Sequence, residues 1–490
     1  MNRRQFCGGA AALGLGTATL TQAQSSLRPL PIPPLMDLRP GVDKRIPLVL
    51  APGRHDFGTG TLSETFGIGA PYLGPVIRAS SGQTLPFDVS NGIGEVTTLH
   101  WHGLHIPGDV DGGPHQEIEP GEMWSPDVPL AQRAATTWFH SHTHGRTARQ
   151  TYKGLAGVLI VEDEDSRSAD LPQTYGVDDF TLILQDRAFD GTGQLTYMLS
   201  AEVFEDGFEG ETLTVNGTLA PVGRAVPRGL VRLRLLNACN ARFLTLSMAA
   251  GPLHVIASDG GFLTRTVETE TILMSPGERY EVLVDMGSTE ENSLLVRFGA
   301  DAGIMARLGG LFGGGGPMTA LTLTRTAEAG TIATMPDRLA ALDPPDPSAA
   351  TVTRNFTLEM ETGADLAALA MAWDNFCGDA GAMAINGMPM NMDRIDEEAR
   401  LGDTEIWRIS VDDMLHPFHI HGCSFRILTQ NGGPPPAYAA GWKDMVHVED
   451  GWSEVLVRFD HPAPAQAPYM YHCHILEHED CGMMGQFTVS

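Results

Sequence analysis

Short apolar runs, some alternating and some continuous, recur along the whole chain and are broken every few positions by Gly, Pro, Asn or Asp. They predict strands at 45–50, 76–79, 85–89, 97–102, 136–140 and 157–162. A second series falls at 180–185, 212–216, 230–236, 243–248, 254–258 and 281–285, and a third at 405–411, 418–428, 453–459, 469–474 and 485–489. Strands of this length and spacing predict β-sandwiches. An acidic run, Glu162-Asp163-Glu164-Asp165-Ser166, separates the first series from the second. A stretch rich in Ala, Asp and Pro at 327–350 separates the second from the third. The pattern therefore predicts an all-β protein with sandwich domains at 28–166, 175–326 and 351–490, the last two joined by a linker at 327–350.

Length agrees, because 490 residues exceed what one hydrophobic core can organise. The formal charge of −28 argues against nucleic acid or an anionic membrane as a partner and is compatible with cationic substrates. At the N-terminus, Arg3-Arg4-Gln5-Phe6 precedes a Gly- and Ala-rich apolar run from Cys7 to Leu20, followed by Thr21-Gln22-Ala23. This reads as a twin-arginine export signal over residues 1–24, so a periplasmic, soluble and monomeric mature chain is expected. No stretch reaches the roughly 18 apolar residues of a membrane anchor.

The chemistry is concentrated in histidine pairs. With 17 His, about 0.6 His-X-His pairs are expected by chance. Five occur: His100/His102, His140/His142, His142/His144, His419/His421 and His472/His474, all in the first and third series. In His472-Cys473-His474, strand alternation turns Cys473 to one face and both histidines to the other. A Cys thiolate with imidazoles and a weak Met ligand is the donor set of an electron-transfer copper, and the opposite face offers imidazoles to further metal. His144 and the lone His254 read as structural or surface residues.

Four segments, His100-Trp101-His102-Gly103, His140-Ser141-His142, His416-Pro417-Phe418-His419-Ile420-His421 and His472-Cys473-His474, together with His478 and Met483, closely resemble those of the multicopper oxidases. The resemblance covers the whole mature chain and implies three cupredoxin-like Greek-key β-sandwich domains holding four copper ions. Carried over residue by residue, it implies a type 1 copper on His416, Cys473, His478 and Met483. It implies a type 2 copper on His100 and His419, and a type 3 pair on His102, His140, His142, His421, His472 and His474. It also implies that O2 is the electron acceptor and that Asp111 and Glu479 relay protons.

The electron donor is indicated by other residues. Met360, Asp365, Asp412 and Met414 resemble, in type and spacing, the extra Cu(I) site of periplasmic cuprous oxidases of the CueO type, with soft sulfur for Cu(I) and carboxylates for its charge. Six of the 21 methionines fall within 360–392, but no His-rich insert lies between Asp365 and His416. The expected activity is oxidation of Cu(I) to Cu(II) by O2, serving copper tolerance, and a thinner lid admits phenols as well. The alternatives are a laccase-like phenol oxidase without a Cu(I) site, or a non-catalytic scaffold like the copper-free relatives that serve in cell division. Disulfide pairing among Cys239, Cys377, Cys423 and Cys481 stays open, with Cys423 and Cys481 possible neighbours.

Overall fold

The structure is a computed structural model that describes residues 27–299, 316–342, 346–360, 383–411, 414–449 and 451–490. The expected all-β class holds: three pairs of sheets follow one another along the chain, and the described helices are short.

In the first pair, Leu35–Asp37, Val76–Ser80, Ala156–Glu162 and Ala135–His140 form one sheet, facing a second built on Ile46–His55 and Thr84–Asn91. Alternate residues such as Leu48, Leu85, Phe87, Phe139 and Leu159 fill the space between them. The second pair packs around Leu233, Leu246, Val282 and Leu321, and its sheet edge takes in the early strand Arg28–Pro29. In the third pair, Glu397–Ala399, Met484–Val489, Tyr469–Cys473, His416–Ile420 and Met445–Val448 form the sheet that carries the candidate ligands. Phe418, Tyr471, Phe487 and Cys473 itself belong to its core.

Two local expectations change. Residues 418–428 make two strands, His416–Ile420 and Phe425–Thr429, in different sheets. The break is at Gly422, whose φ is +71°, and a Cβ there would come within 2.4 Å of the Tyr469 ring. Residues 97–102 form no strand; only Thr97 and His100 make isolated bridges, the latter to His140. His478 sits on a short helix, Leu476–Asp480.

Buried ions join the sheet pairs. Asp179 and Glu281 of the second pair hold Arg234 and Arg232, and Arg78 of the first pair reaches Asp179 at 3.0 Å. Lys443 of the third pair meets Asp259 at 2.8 Å and Glu278 at 2.5 Å. Burial alone would lower the Lys443 pKa, but the two carboxylates raise it above its usual value. Removing one partner of such a buried set costs about 3–5 kcal/mol. Asp480 accepts hydrogen bonds from Thr147 N and Ala148 N, both 2.9 Å, and so ties the ligand-bearing helix to the first turn of Thr147–Lys153.

Candidate metal centres

Strand register explains how one segment serves two sites. Phe418 lies opposite Cys473, and His419 lies opposite His472. Directly opposed residues share a face, and residues two apart share a face. His416, Phe418 and Cys473 therefore point into the third core. His419, His421, His472 and His474 point out of it, toward the first sheet pair. The three-residue spacing between His416 and His419 assigns them to opposite faces.

On the core side, His416 Nδ1 lies 3.3 Å and His478 Nδ1 lies 3.7 Å from Cys473 Sγ. All three residues are buried, and their donor atoms lie within 4.8 Å of one another. Ile475 N donates to the sulfur at 3.4 Å, which favours its thiolate form. Met483 is fully buried, and its backbone bonds those of Cys473 at 3.0 Å and His478 at 2.9 Å.

On the other face, eight buried imidazoles converge. The Nε2 atoms of His142, His421 and His472 form a triangle with every side 3.2 Å. The centre of such a triangle is about 1.8 Å from each corner, so one ion at a usual imidazole–metal distance of about 2 Å touches all three. Beside it, His102 Nδ1 and His140 Nε2 face each other at 3.4 Å, with the His474 ring centroid 5.1 Å from that of His102. His100 Nε2 and His419 Nε2 are buried without a partner. Several outward nitrogens are held by oxygen: His140 Nδ1 by Ser141 O at 2.8 Å, His419 Nδ1 by Asp444 O at 2.8 Å, and His472 Nδ1 by Cys473 O at 2.9 Å.

Two carboxylates, each almost fully buried, each reach two of these rings. Asp111 Oδ2 is 2.8 Å from His421 Nδ1 and 3.2 Å from His100 Nδ1. Glu479 is 3.2 Å from both His142 Nδ1 and His472 Nδ1. Sequence reasoning missed a third carboxylate, Asp444, whose Oδ1 is 3.2 Å from His102 Nε2. Lys443-Asp444 lies in no recognisable motif, and the side chains that the Asp444 carboxylate bonds, His102 and Arg279, are 342 and 165 residues away.

Burial, and then the neighbouring imidazoles, hold His102, His140, His142, His419, His421 and His474 well below the usual histidine pKa. They stay neutral in the folded chain. Once unfolded they regain a pKa near 6.5, so below that pH the unfolded chain binds more protons than the folded one. The metal-free protein is therefore expected to lose stability progressively as pH falls below about 6.5. Its thermal midpoint, measured between pH 7 and pH 5, should drop; a flat profile would contradict neutral, buried imidazoles.

Models of the multicopper oxidase family match residues 51–166, 157–302 and 353–490. The chain belongs to the multicopper oxidase family. Among solved structures, the laccase-like multi-copper oxidase CueO from Ochrobactrum sp. is 43% identical, with a TM-score of 0.86, covering 94% of this chain and all of that one. The McoA multicopper oxidase of Aquifex aeolicus is 32% identical, with a TM-score of 0.81, covering 95% of this chain and all of that one. Curated relatives carry a different name. Cell division protein FtsP of Escherichia coli (strain K12) is 37% identical over all of this chain and 99% of its own length. FtsP of Yersinia pestis is 38% identical over all of this chain and 98% of its own length.

Family membership implies copper, and the donor set fits it. Buried imidazole nitrogens converge within ligand distance of one another, and the thiolate–imidazole group has the composition of an electron-transfer copper. Of the residues proposed for a Cu(I) site, Met360 ends the strand Val352–Met360 and Met414 precedes His416; both are half-buried against the third core. Asp365 and Asp412 lie outside the described residues, as do Met371 and Cys377. Met383 is fully buried core, whereas Met388 is 43% exposed. Cys481 is disulfide-bonded. Cys239 and Cys423 are free and buried, so a Cys423–Cys481 bond is excluded. His144 is half-buried beside Glu479, and His254 Nδ1 is 3.6 Å from Glu268.

Proposed function

We propose that this protein is a periplasmic oxidase that couples one-electron oxidation of Cu(I) to four-electron reduction of O2 to water, with phenols as a second class of donor. The observation that carries the reading is the 3.2 Å triangle of His142, His421 and His472, formed on the back of the strand whose Cys473 faces His416 and His478. Four copper ions, one beside Cys473 and three among the eight imidazoles, would supply single-electron acceptance and O2 reduction. His416, Cys473, His478 and Met483 would hold the first. His100 and His419, whose inward nitrogens are unpartnered, would hold the second. His102, His140, His142, His421, His472 and His474 would hold the other two.

The chain itself supplies wiring and protons. Cys473 is covalently continuous with His472 and His474, so an electron at its sulfur is a few bonds from both. Asp111 and Glu479, each against two cluster rings, are the groups we assign to proton delivery. The twin-arginine segment, which lies outside the described residues, supports export; no described helix is long and apolar enough to cross a membrane.

The cell-division name shared by the curated relatives favours a second reading, a non-catalytic role. Copper content, visible absorption and O2 consumption of the copper-loaded protein separate the two. About four coppers per chain, a blue colour and turnover support the oxidase; a colourless protein without turnover supports the second reading. For the donor, Met360→Ala combined with Asp412→Ala is expected to lower Cu(I)-driven O2 consumption at least tenfold, while dimethoxyphenol turnover changes less than twofold. Equal effects on both donors would remove the Cu(I) site and leave a laccase.

A further inference from the structure

Among the imidazoles turned toward the cluster centre, His102 is oriented in reverse. His140, His142, His421 and His472 turn Nε2 inward, whereas His102 turns Nδ1 toward His140 and leaves Nε2 outside. Neutral imidazole carries its proton on one nitrogen only, so whichever nitrogen donates outward leaves the other as the ligand. Nε2 of His102 donates to Asp444 Oδ1 at 3.2 Å.

Asp444 is itself clamped. Arg279, from the second sheet pair, donates Nη1 to Oδ1 at 2.6 Å and Nη2 to Oδ2 at 2.5 Å. The rest of that guanidinium is also occupied: Nε bonds Thr136 O at 3.1 Å and Nη1 bonds Gly277 O at 3.1 Å. Arg279 thus touches all three sheet pairs and cannot rotate without breaking bonds in each. The residue after His102 makes room for the clamp. Gly103 has φ of +87°, and a Cβ there would lie 2.5 Å from Arg279 Nη2 and 2.7 Å from Asp444 Oδ2. The second sheet pair carries no candidate ligand, yet its arginine reaches the cluster through one carboxylate.

We infer that Arg279 is a positioning residue: by fixing Asp444 through both oxygens, it locks His102 in the Nε2–H form and so dictates that Nδ1 is its ligand atom. The inference rests on the copper-cluster reading only for its consequence; the tautomer is a property of the metal-free chain. Asp444→Ala removes the oxygen that His102 Nε2 and Arg279 Nη1 share. With that acceptor gone, neither ring nitrogen of His102 is favoured as the site of the proton.

The test is long-range nitrogen–proton NMR on metal-free protein labelled at histidine nitrogens, with the His102 signal assigned by its loss in His102→Gln. Wild type is expected in the Nε2–H form. Asp444→Ala and Arg279→Gln should each show a mixture of the two forms. Both should retain copper about 10–100-fold less tightly, as is usual when the partner of a ligand is lost. Arg279→Lys, with one contact in place of two, should recover part of the wild-type signal. The proposal is overturned if His102 keeps the Nε2–H form in Arg279→Gln or in Asp444→Ala. If Arg279→Gln fails to fold, the Asp444→Ala tautomer decides alone. A wild-type protein that binds no copper would instead remove the proposed function and leave the tautomer result standing.

Discussion

Cys473→Ser should abolish the strong visible absorption of the copper-loaded protein, remove about one copper per chain and lower O2 consumption on the order of a thousandfold. The sulfur lies between His416 Nδ1 and His478 Nδ1 in a site closed to solvent. A thiolate there is soft, charged and polarizable; a serine hydroxyl in the same place is hard and stays protonated, because its pKa is far above that of a thiol. The substitution keeps the shape of the side chain to within one atom, so the fold and the opposite face of the strand survive. The eight imidazoles should then still bind their copper, and the thermal midpoint should move little. Absorption, metal content and oxygen uptake on one sample separate the possibilities. Persistence of the visible band in the serine variant would show that Cys473 is not the thiolate ligand.

Much of this centre follows from period-two arithmetic. His416 and His419 are an odd number apart, as are Cys473 and His472, so each segment must divide its donors between two faces. The observed pairing of Phe418 with Cys473 brings the two divisions into agreement. What the pattern could not supply is tertiary. Nothing near Lys443-Asp444 marks it as a partner for His102, because the two are brought together only when the first and third sheet pairs dock, with Arg279 of the second against them. Gly422, between His421 and Cys423, is the one local signal of the turn that splits 418–428; its φ of +71° and the Tyr469 ring packed against it are visible only in the fold. Residues 97–102 alternate like a strand but find only isolated bridging partners, since the loop carrying Asp111 packs beside them and accepts from Trp101 N at 3.1 Å.

The second large effect is expected at His102 and is the complement of the first. His102→Gln should keep the visible band of the cysteine site, since that copper would sit on the opposite face of the strand, yet reduce O2 consumption on the order of a thousandfold. Glutamine has no nitrogen lone pair to turn inward, but its amide can still donate to Asp444, so the Arg279–Asp444 pair keeps a partner. Loss of stability should stay within the common range of about 0.5–3 kcal/mol. The decisive observation is a cycle. A one-electron donor added without air should bleach the band, because the cysteine site still accepts. Readmitting air should restore the colour within seconds in wild type and leave the variant bleached, because electrons that reach Cys473 find no competent acceptor beyond His472 and His474. Recolouring at the wild-type rate would mean that His102 is not needed for O2 reduction, and the cluster would have to be rebuilt from the remaining seven imidazoles.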